Sequence, residues 1–254
     1  MSPLLRDRMA TEGRWLFFHR SLVPMLLLPA IIPAVVRFQP PFGERAWNVA
    51  WVAVCFAVSF AGLVVRGLVA GYVPSGTSGR SVRNLRAETL NTSGMYSVCR
   101  NPLYLGNSLV GLGVLLCLHD PYVLVLYTLL FWLHYERIVL AEEVFLSGKF
   151  GEAYAAWAES TPVFVPRLAL WKPAGRPFSW ARLLRREAGT FAGILLAMTA
   201  FEVVTGYFVH GEPRFEVGWR IVVGIAMAAH IPVRVLKRID RLRGGDDSRV
   251  EQSG

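Results

Sequence analysis

A short basic stretch at residues 100–106, RNPLYLG, carries residue types that could bind an anion. Proline opens a helix at no cost, because its missing N–H would be unpaired there in any case. A helix N-terminus presents free N–H groups and partial positive charge. With the fixed cation of Arg100 beside it, this helix start would suit a carboxylate or a phosphate. The same residues also fit a helix begun by proline with an arginine at a membrane interface.

An acidic stretch at residues 134–143, HYERIVLAEE, ends a later apolar segment. At 100° per residue, Trp132, Glu136 and Glu143 share one stripe of a helix, whereas Glu142 points to another side. Glu142 and Glu143 would be either site residues or two solvated carboxylates at a helix end. Glu136 is expected to pair with a cation, with Arg66, Arg100 or Arg137 as candidates.

The two stretches are expected to meet in one cleft. Asp120-Pro121 marks a turn, so the apolar segments on either side of it form an antiparallel hairpin. The hairpin brings the basic helix start and the acidic pair to the same membrane face. A cleft with both charges would hold a zwitterionic ligand with an amino acid end.

The sequence around this cleft is typical of membrane helices. The chain has 254 residues, 54% of them hydrophobic and only 18% charged, and the apolar residues are clustered in long runs. A soluble domain is usually less apolar and closer to a quarter charged. We therefore predict an all-α, polytopic transmembrane helical bundle, with the cleft at its cytoplasmic face. It has about six spans, at 21–36, 46–73, 102–118, 122–141, about 188–209 and about 217–236.

Two of these spans have irregular features. The run at 21–36 is short and contains three prolines. The charged residues that precede it are typical of a signal peptide, and a kinked span fits the same residues. The lack of a good small-x-small cleavage site favours the span. Arg66 interrupts the far end of the second span, where it either extends to the interface or marks a site.

The net charge of +9 comes from arginines between the apolar runs. That placement fits topology signals and lipid-phosphate contacts better than nucleic-acid binding. The arginine-rich segments are the N-terminus, residues 74–100, residues 142–186 and the C-terminal tail. The positive-inside rule then puts both termini, the helix start and the acidic pair in the cytoplasm. The three cysteines show neither a disulfide framework nor a zinc pattern, so no metal site is expected.

An ordered set of motifs resembles the isoprenylcysteine carboxyl methyltransferase family, and phospholipid N-methyltransferases share it. The set is Arg100-x-Pro102-x-Tyr104-x-Gly106, then Glu142-Glu143, then FGxxY at 150–154 and VFVP at 163–166. The resemblance covers roughly residues 46–167. One departure is Asn101, where the family most often has histidine. Asparagine forms hydrogen bonds but cannot serve as an acid or base.

The resemblance implies an integral membrane enzyme that uses S-adenosylmethionine to methylate a lipid or lipidated acceptor. It implies catalytic roles for Arg100 and Glu142. The residues expected to bind the cofactor are Tyr96, Arg100, Asn101, Pro102, Tyr104, Leu105, Gly106, Glu142 and Glu143. The candidates for substrate binding are Arg66, Trp132 and Glu136. Gly111-x-Gly113 lies in an apolar span with no preceding strand, so it is expected to pack helices rather than to bind the cofactor.

The chain then divides into five parts. A basic N-terminus with the first span occupies 1–45, and the methyltransferase-like core occupies 46–167. An interfacial linker at 168–186, two additional spans at 187–236 and a charged tail at 237–254 follow.

Two other functions stay open. One is an NADPH-dependent membrane reductase of the steroid reductase type, and the other is a non-enzymatic lipid-binding membrane protein. The sequence does not distinguish among a prenylated cysteine, a phospholipid amine, a lipid phosphate and a small hydrophobic acid as acceptor. It does not indicate the oligomeric state.

Overall fold

A computed structural model describes residues 5–20, 22–39, 45–73, 89–212 and 217–250, and in these residues it contains helices and no strand. The fold class is therefore all-α, as predicted. Most of the basic loop, residues 74–88, lies outside the described residues. The α-helices are α1 (Leu5–His19), α2 (Leu28–Val36), α3 (Arg45–Tyr72), α4 (Met95–Val98), α5 (Pro102–Leu116), α6 (Pro121–Phe150), α7 (Glu152–Ser160), α8 (Trp180–His210) and α9 (Val217–Val250). Short 3₁₀ helices lie at Val23–Leu27 and Leu168–Leu170.

Four described helices are long and apolar enough to cross a membrane, namely α3, α6, α8 and α9. A fifth span is possible if the bent segments Arg8–His19 and Val23–Val36 count as one. The predicted third span is the helix α5, which has 15 residues. A helix needs about 20 residues to cross the hydrocarbon core, so α5 is too short to do so alone. The predicted number of six spans is not confirmed.

The turn between α5 and α6 has the expected chemistry. Asp120 caps α6, because its carboxylate accepts hydrogen bonds from the backbone N–H groups of Tyr122 (2.9 Å) and Val123 (3.0 Å). Pro121 occupies the first turn of α6, where its missing N–H costs nothing. His119 has a φ of 52°, which places it in the left-handed region. The chain therefore reverses in a few residues, and Tyr127 of α6 donates a 2.9 Å hydrogen bond to the carbonyl of Ser108 on α5.

The helix α6 is longer than predicted. It continues past residue 141 to Phe150 and ends at Gly151, whose φ is 53°. The positive φ at Gly151 separates α6 from α7. However, Glu142 and Glu143 lie inside a continuous helix and not at a helix end. No helix breaker separates them from the apolar segment, so the helix simply extends.

Close packing of α3 against α5 depends on glycine. A Cβ on Gly62 would lie 2.5 Å from the carbonyl oxygen of Gly106, and one on Gly113 would lie 2.5 Å from the backbone nitrogen of Ser59. Both distances are shorter than real Cβ contacts, so the two backbones touch only because these positions have no side chain. Gly113 thus serves helix packing, as expected. Gly111 lies against the ring of Tyr127.

The irregular segment between α7 and α8 is tied to the loop that precedes α5. Arg100 N–H donates to the carbonyl of Pro162 (2.8 Å), and Arg167 N–H donates to that of Val98 (2.9 Å). The helix α8 begins at Trp180, within the interfacial linker predicted at 168–186, and the Ser179 hydroxyl caps it. The first turns of α8 are thereby placed beside α3.

The N-terminal helix α1 packs along α6. A Cβ on Gly13 would lie 1.9 Å from the carbonyl oxygen of Arg137, so the two helices are in backbone contact. Glu12 pairs with the Arg137 guanidinium at 3.0 Å. The residue that follows α1 by one position, Arg20, is carried to the cavity described next.

Candidate active site

A cavity of about 340 Å³ with several charged residues in its wall lies among α3, α5, α6, α7 and the start of α8. This volume falls within the range of roughly 300–1,000 Å³ that is usual for small-molecule sites. Its wall contains four arginines, three glutamates and six aromatic residues. They are Arg20, Arg66, Arg100 and Arg186; Glu142, Glu143 and Glu187; and Tyr96, Tyr104, Tyr135, Phe145, Tyr154 and Trp157.

The predicted basic helix start and acidic pair do meet in this cavity. The guanidinium of Arg100, two residues before Pro102, lies 3.0 Å from the Glu143 carboxylate on α6. One atom of this ion pair, Arg100 Nε, is nevertheless buried without a hydrogen-bond partner in the described part of the chain. A buried polar atom without a partner costs about 1–3 kcal/mol, so the pair retains unused capacity for a polar ligand.

Glu142 also faces the cavity, through a different contact. Its carboxylate accepts a 2.7 Å hydrogen bond from the Tyr104 hydroxyl on α5. The Tyr104 ring lies beside that of Tyr135, with 4.5 Å between the ring centroids. The helical-stripe prediction separated Glu142 from Glu143, but adjacent residues differ by only about 100° and the cavity is wide enough to expose both.

Arg66 occupies the wall between α3, α5 and α8. Its guanidinium donates to both carboxylate oxygens of Glu187, at 2.8 Å and 3.2 Å, and to the side-chain oxygen of Asn107. It also donates to the Thr190 hydroxyl at 3.2 Å. The charge inside the second predicted span is thus held by polar partners on two other helices.

Two tyrosines near the entrance of the cavity stay protonated in ordinary buffers. Burial, followed by the charge of Glu142, raises the pKa of Tyr96 well above its usual value. Burial, followed by the charge of Glu143, raises the pKa of Tyr154 to about 12. Trp157 donates a 3.1 Å hydrogen bond to the carbonyl of Tyr96 and so connects α7 to α4. These groups present neutral aromatic surface and hydroxyl donors.

Most of the predicted site residues line the cavity, and four do not. Tyr96, Arg100, Asn101, Pro102, Tyr104, Glu142, Glu143 and Arg66 line it. Leu105 and Gly106 lie outside its wall. Gly106 instead lets α3 and the side chain of Arg66 pass closely over α5. Trp132 is 61% exposed, and Glu136 is also exposed and pairs with Arg137 at 3.9 Å, so both lie on the outer surface of α6.

The loop residues next to the motif have structural partners. The Asn101 side-chain amide donates to the carbonyl of Val163 at 3.0 Å. The Cys99 thiol is buried and donates to the carbonyl of Phe164 at 3.1 Å. Burial raises the pKa of this thiol to about 11. Cys99 is therefore an unreactive packing residue.

Sequence reasoning missed several residues of the wall. Arg20, Asn107, Tyr135 and Glu187 carried no motif. For Glu187, a carboxylate at the start of an apolar run was an available signal, and its partner Arg66 was already noted. For Arg20, only the packing of α1 on α6 decides its position.

Residues 76–153 match the family model described as phospholipid methyltransferase. The resemblance to the isoprenylcysteine and phospholipid methyltransferases that the sequence motifs indicate is therefore confirmed over this stretch. The stretch contains α5, the loop before it and α6, which supply the Arg100–Glu143 and Tyr104–Glu142 contacts. Arg20, Arg66, Arg186 and Glu187 lie outside it.

The chain spans less than two thirds of the length of the curated proteins that it matches. The chain is 36% identical over 80 residues to the protein-S-isoprenylcysteine O-methyltransferase of Xenopus laevis, which is 32% of this chain and 28% of that protein. It is 33% identical over 132 residues to the cobalt-zinc-cadmium resistance protein CzcN of Cupriavidus metallidurans, 52% of this chain and 58% of that protein. It is 30% identical over 145 residues to the nickel-cobalt-cadmium resistance protein NccN of Alcaligenes xylosoxydans xylosoxydans, 56% of this chain and 64% of that protein. No solved structure matches.

Proposed function

We propose that this protein is a membrane methyltransferase that uses S-adenosylmethionine and acts on a lipid or lipidated acceptor at the cytoplasmic face of the membrane. The observation that carries the proposal is the Arg100–Glu143 pair, whose Arg100 Nε is buried without a partner among the described residues, in a cavity that Glu142 also lines. The pair joins the loop before α5 to α6, and both lie in the stretch that matches the phospholipid methyltransferase model.

The residues of the cavity fit the amino acid end of this cofactor. A carboxylate suits Arg100, whose Nε–H is unpartnered, and the first turn of α5, which begins at Pro102. An ammonium or ribose hydroxyl suits the carboxylates of Glu142 and Glu143. We also assign Tyr96, Asn101 and Tyr104 to the cofactor site.

The bound cofactor would supply an electrophilic methyl group on a cationic sulfonium. Aromatic faces attract such a cation, and the cavity offers those of Tyr104 and Tyr135. The work of the protein is to align the acceptor with the methyl group and to exclude water. A carboxylate or phosphate acceptor needs no general base. For an amine acceptor, Glu142 is the carboxylate that would take the proton.

The outer surface of the bundle suits an acceptor that arrives from the bilayer. The helix α6 separates the cavity from the outside and carries exposed apolar residues, among them Trp132. We propose that Trp132 and Glu136 contact the acceptor on this surface and that Arg66 lies where the acceptor meets the cavity. The arginine-rich connections support a cytoplasmic position for this end of the bundle.

Ligand binding by the purified protein in detergent tests the proposed cofactor. We expect S-adenosylhomocysteine to raise the melting temperature and NADPH to leave it unchanged. Stabilisation by NADPH alone would favour the reductase, and stabilisation by neither would favour a non-enzymatic protein. The Arg100→Ala variant should lose the response to S-adenosylhomocysteine, whereas Tyr122→Phe, on an 84% exposed residue far from the cavity, should keep it.

Transfer of a labelled methyl group tests the acceptor. The protein is incubated with methyl-labelled S-adenosylmethionine and a total lipid extract, and the products are identified by mass spectrometry. We expect label in a lipid or lipidated product with the wild type and none with Arg100→Ala. Absence of label from lipid products in the presence of demonstrated cofactor binding would exclude lipid as the acceptor.

A further inference from the structure

Glu187 is a buried carboxylate on α8, outside the stretch that matches the phospholipid methyltransferase model. Its side chain is only 8% exposed. Arg66 occupies both of its oxygens, with Nε–H donating to Oε2 at 2.8 Å and Nη2–H donating to Oε1 at 3.2 Å. This geometry is the bidentate pairing that makes arginine–carboxylate contacts strong and directional. A carboxylate engaged in this way supports its partner rather than a ligand.

Arg66 uses its remaining donors on neighbouring helices. Its Nη1–H donates to the side-chain oxygen of Asn107 on α5, and its Nη2–H also donates to the Thr190 hydroxyl at 3.2 Å. All three guanidinium nitrogens therefore have protein partners. The orientation of the Asn107 amide is fixed as a result, because its oxygen accepts from Arg66 and its nitrogen faces away.

The chain of contacts continues to Glu142. The Asn107 amide nitrogen donates to the Tyr135 hydroxyl at 3.3 Å. The Tyr135 ring lies against that of Tyr104, and the Tyr104 hydroxyl donates to Glu142 at 2.7 Å. We call this set the polar relay; its members are Glu187, Arg66, Asn107, Tyr135, Tyr104 and Glu142.

We infer that Glu187 is a positioning residue for the candidate active site, acting through the polar relay on Tyr104 and Glu142. The inference rests on the proposed function for its consequence in cofactor binding. Removing the charge of Glu187 leaves Arg66 buried without its counter-ion, and a buried ion pair broken on one side is strongly destabilised. Arg66 then shifts towards other acceptors and releases Asn107 and the Tyr135–Tyr104 pair. The helix α8 is thus a wall of the site, although it lies outside the matched stretch.

The test compares the full-length Glu187→Gln variant with Ile194→Ala in detergent. Ile194 is buried on the same helix, in a cluster with Cys55 and Met198, so its truncation loosens α8 without touching the polar relay. Two quantities are measured in each protein. One is amide hydrogen exchange of the peptides that cover residues 101–107 and 135–142 without ligand, and the other is the Kd for S-adenosylhomocysteine.

We expect Glu187→Gln to speed exchange in both peptides and to raise the Kd roughly 10- to 100-fold, the range seen when the support of a binding group is removed. Glu187→Asp keeps the charge and should recover part of the affinity. Ile194→Ala should lower the melting temperature with little change in either quantity. If Glu187→Gln matches Ile194→Ala in both exchange and Kd, the inference is wrong.

A second variant covers the case in which Glu187→Gln does not fold. Tyr135→Phe removes the hydroxyl that accepts from Asn107 and leaves no charge unpaired. It should speed amide hydrogen exchange at residues 101–107 in the ligand-free protein. Unchanged exchange there would show that the polar relay does not hold α5 in place, and the inference would be wrong. A wild type that binds no S-adenosylhomocysteine would reject the proposed function, while the exchange data would still decide whether the polar relay holds α5.

Discussion

Substituting Gly106 by alanine tests whether this motif glycine acts through the packing of α3 and Arg66 on α5 rather than through direct contact with a ligand. In the structure, a Cβ at this position would lie 2.5 Å from Arg66 Cγ and 2.9 Å from the carbonyl oxygen of Gly62. Ordinary contact begins at 3.4 Å, so Arg66 Cγ must move by about 0.9 Å (3.4 − 2.5) or the two helices must separate. The guanidinium of Arg66 is held by Glu187 and Asn107, so the stem cannot swing away without straining those hydrogen bonds.

The substitution should lower the unfolding free energy moderately and the rate of methyl transfer more strongly. Inserting a methyl group into a tight contact costs about 1–3 kcal/mol. Alanine regains about 1 kcal/mol of helix propensity over glycine. The net loss of unfolding free energy is therefore on the order of 0–2 kcal/mol. A displacement near 1 Å in the groups that position a site can lower the rate about 100-fold. Methyl transfer should thus fall by roughly 10- to 100-fold in a protein that still folds.

The assay measures methyl transfer and S-adenosylhomocysteine affinity in parallel with the melting temperature. Gly193→Ala is the matched control, because it lies inside the helix α8 and a Cβ there meets nothing within 4 Å. It should retain activity and gain slightly in stability. If Gly106→Ala leaves both methyl transfer and the affinity for S-adenosylhomocysteine unchanged, the site does not depend on the close approach of Arg66 to this glycine, and the reasoning is refuted.

Three further outcomes follow from single contacts. Tyr104→Phe removes the hydroxyl that donates to Glu142. A hydrogen bond to a charged group contributes about 1.5–3 kcal/mol to stability, so the variant should lose unfolding free energy of about this size, and the Kd for S-adenosylhomocysteine should rise because Glu142 is no longer held in place. Cys99 should resist iodoacetamide at pH 8 in the folded protein, as judged by mass spectrometry, because burial raises the pKa of its thiol to about 11. Gly151→Ala should lower unfolding free energy by about 1–3 kcal/mol, since φ is 53° there and a methyl group meets nothing that could compensate.

Each of these outcomes has a control and a contradicting result. Tyr122→Phe should leave the Kd unchanged, and an equal Kd for Tyr104→Phe would show that the hydroxyl plays no part. Denaturant should expose Cys99 to iodoacetamide, and equally fast labelling before denaturation would contradict its burial. Gly148→Ala, inside α6 and also free of contacts, should not destabilise the protein; a loss as large as that of Gly151→Ala would argue against backbone strain.

The raised pKa of Cys99 also sets a direction for the pH dependence of stability. An unfolded cysteine has a pKa of about 8.5 and releases its proton more readily than the folded one. The unfolded state therefore binds fewer protons between pH 8.5 and 11, and the contribution of Cys99 to stability falls as pH rises through this range. Denaturant unfolding at several pH values, compared with Cys99→Ala, should show a smaller decline in the variant.

Local chemistry and apolar periodicity were enough to predict the helical class, the long helices and the turn at Asp120-Pro121. They also predicted the motif residues that meet in the cavity, since Arg100 and the Glu142-Glu143 pair stand next to strong local signals. Tertiary packing decided the rest. Whether α5 crosses a membrane alone, and where α6 ends, depends on neighbouring helices and on Gly151 rather than on the apolar run.

The amino-acid sequence by itself determined which charges are present near the helix starts and that they must find partners away from lipid. It could not determine which partners, because a helix presents residues in all directions and the same glutamate can face lipid, water or a cavity. Packing placed Glu136 outside and Glu142 inside, and it brought Glu187 to Arg66 across 121 positions of the chain. Such a contact depends on the relative rotation of α3 and α8, which is set by the sum of many side-chain contacts and leaves no local signal.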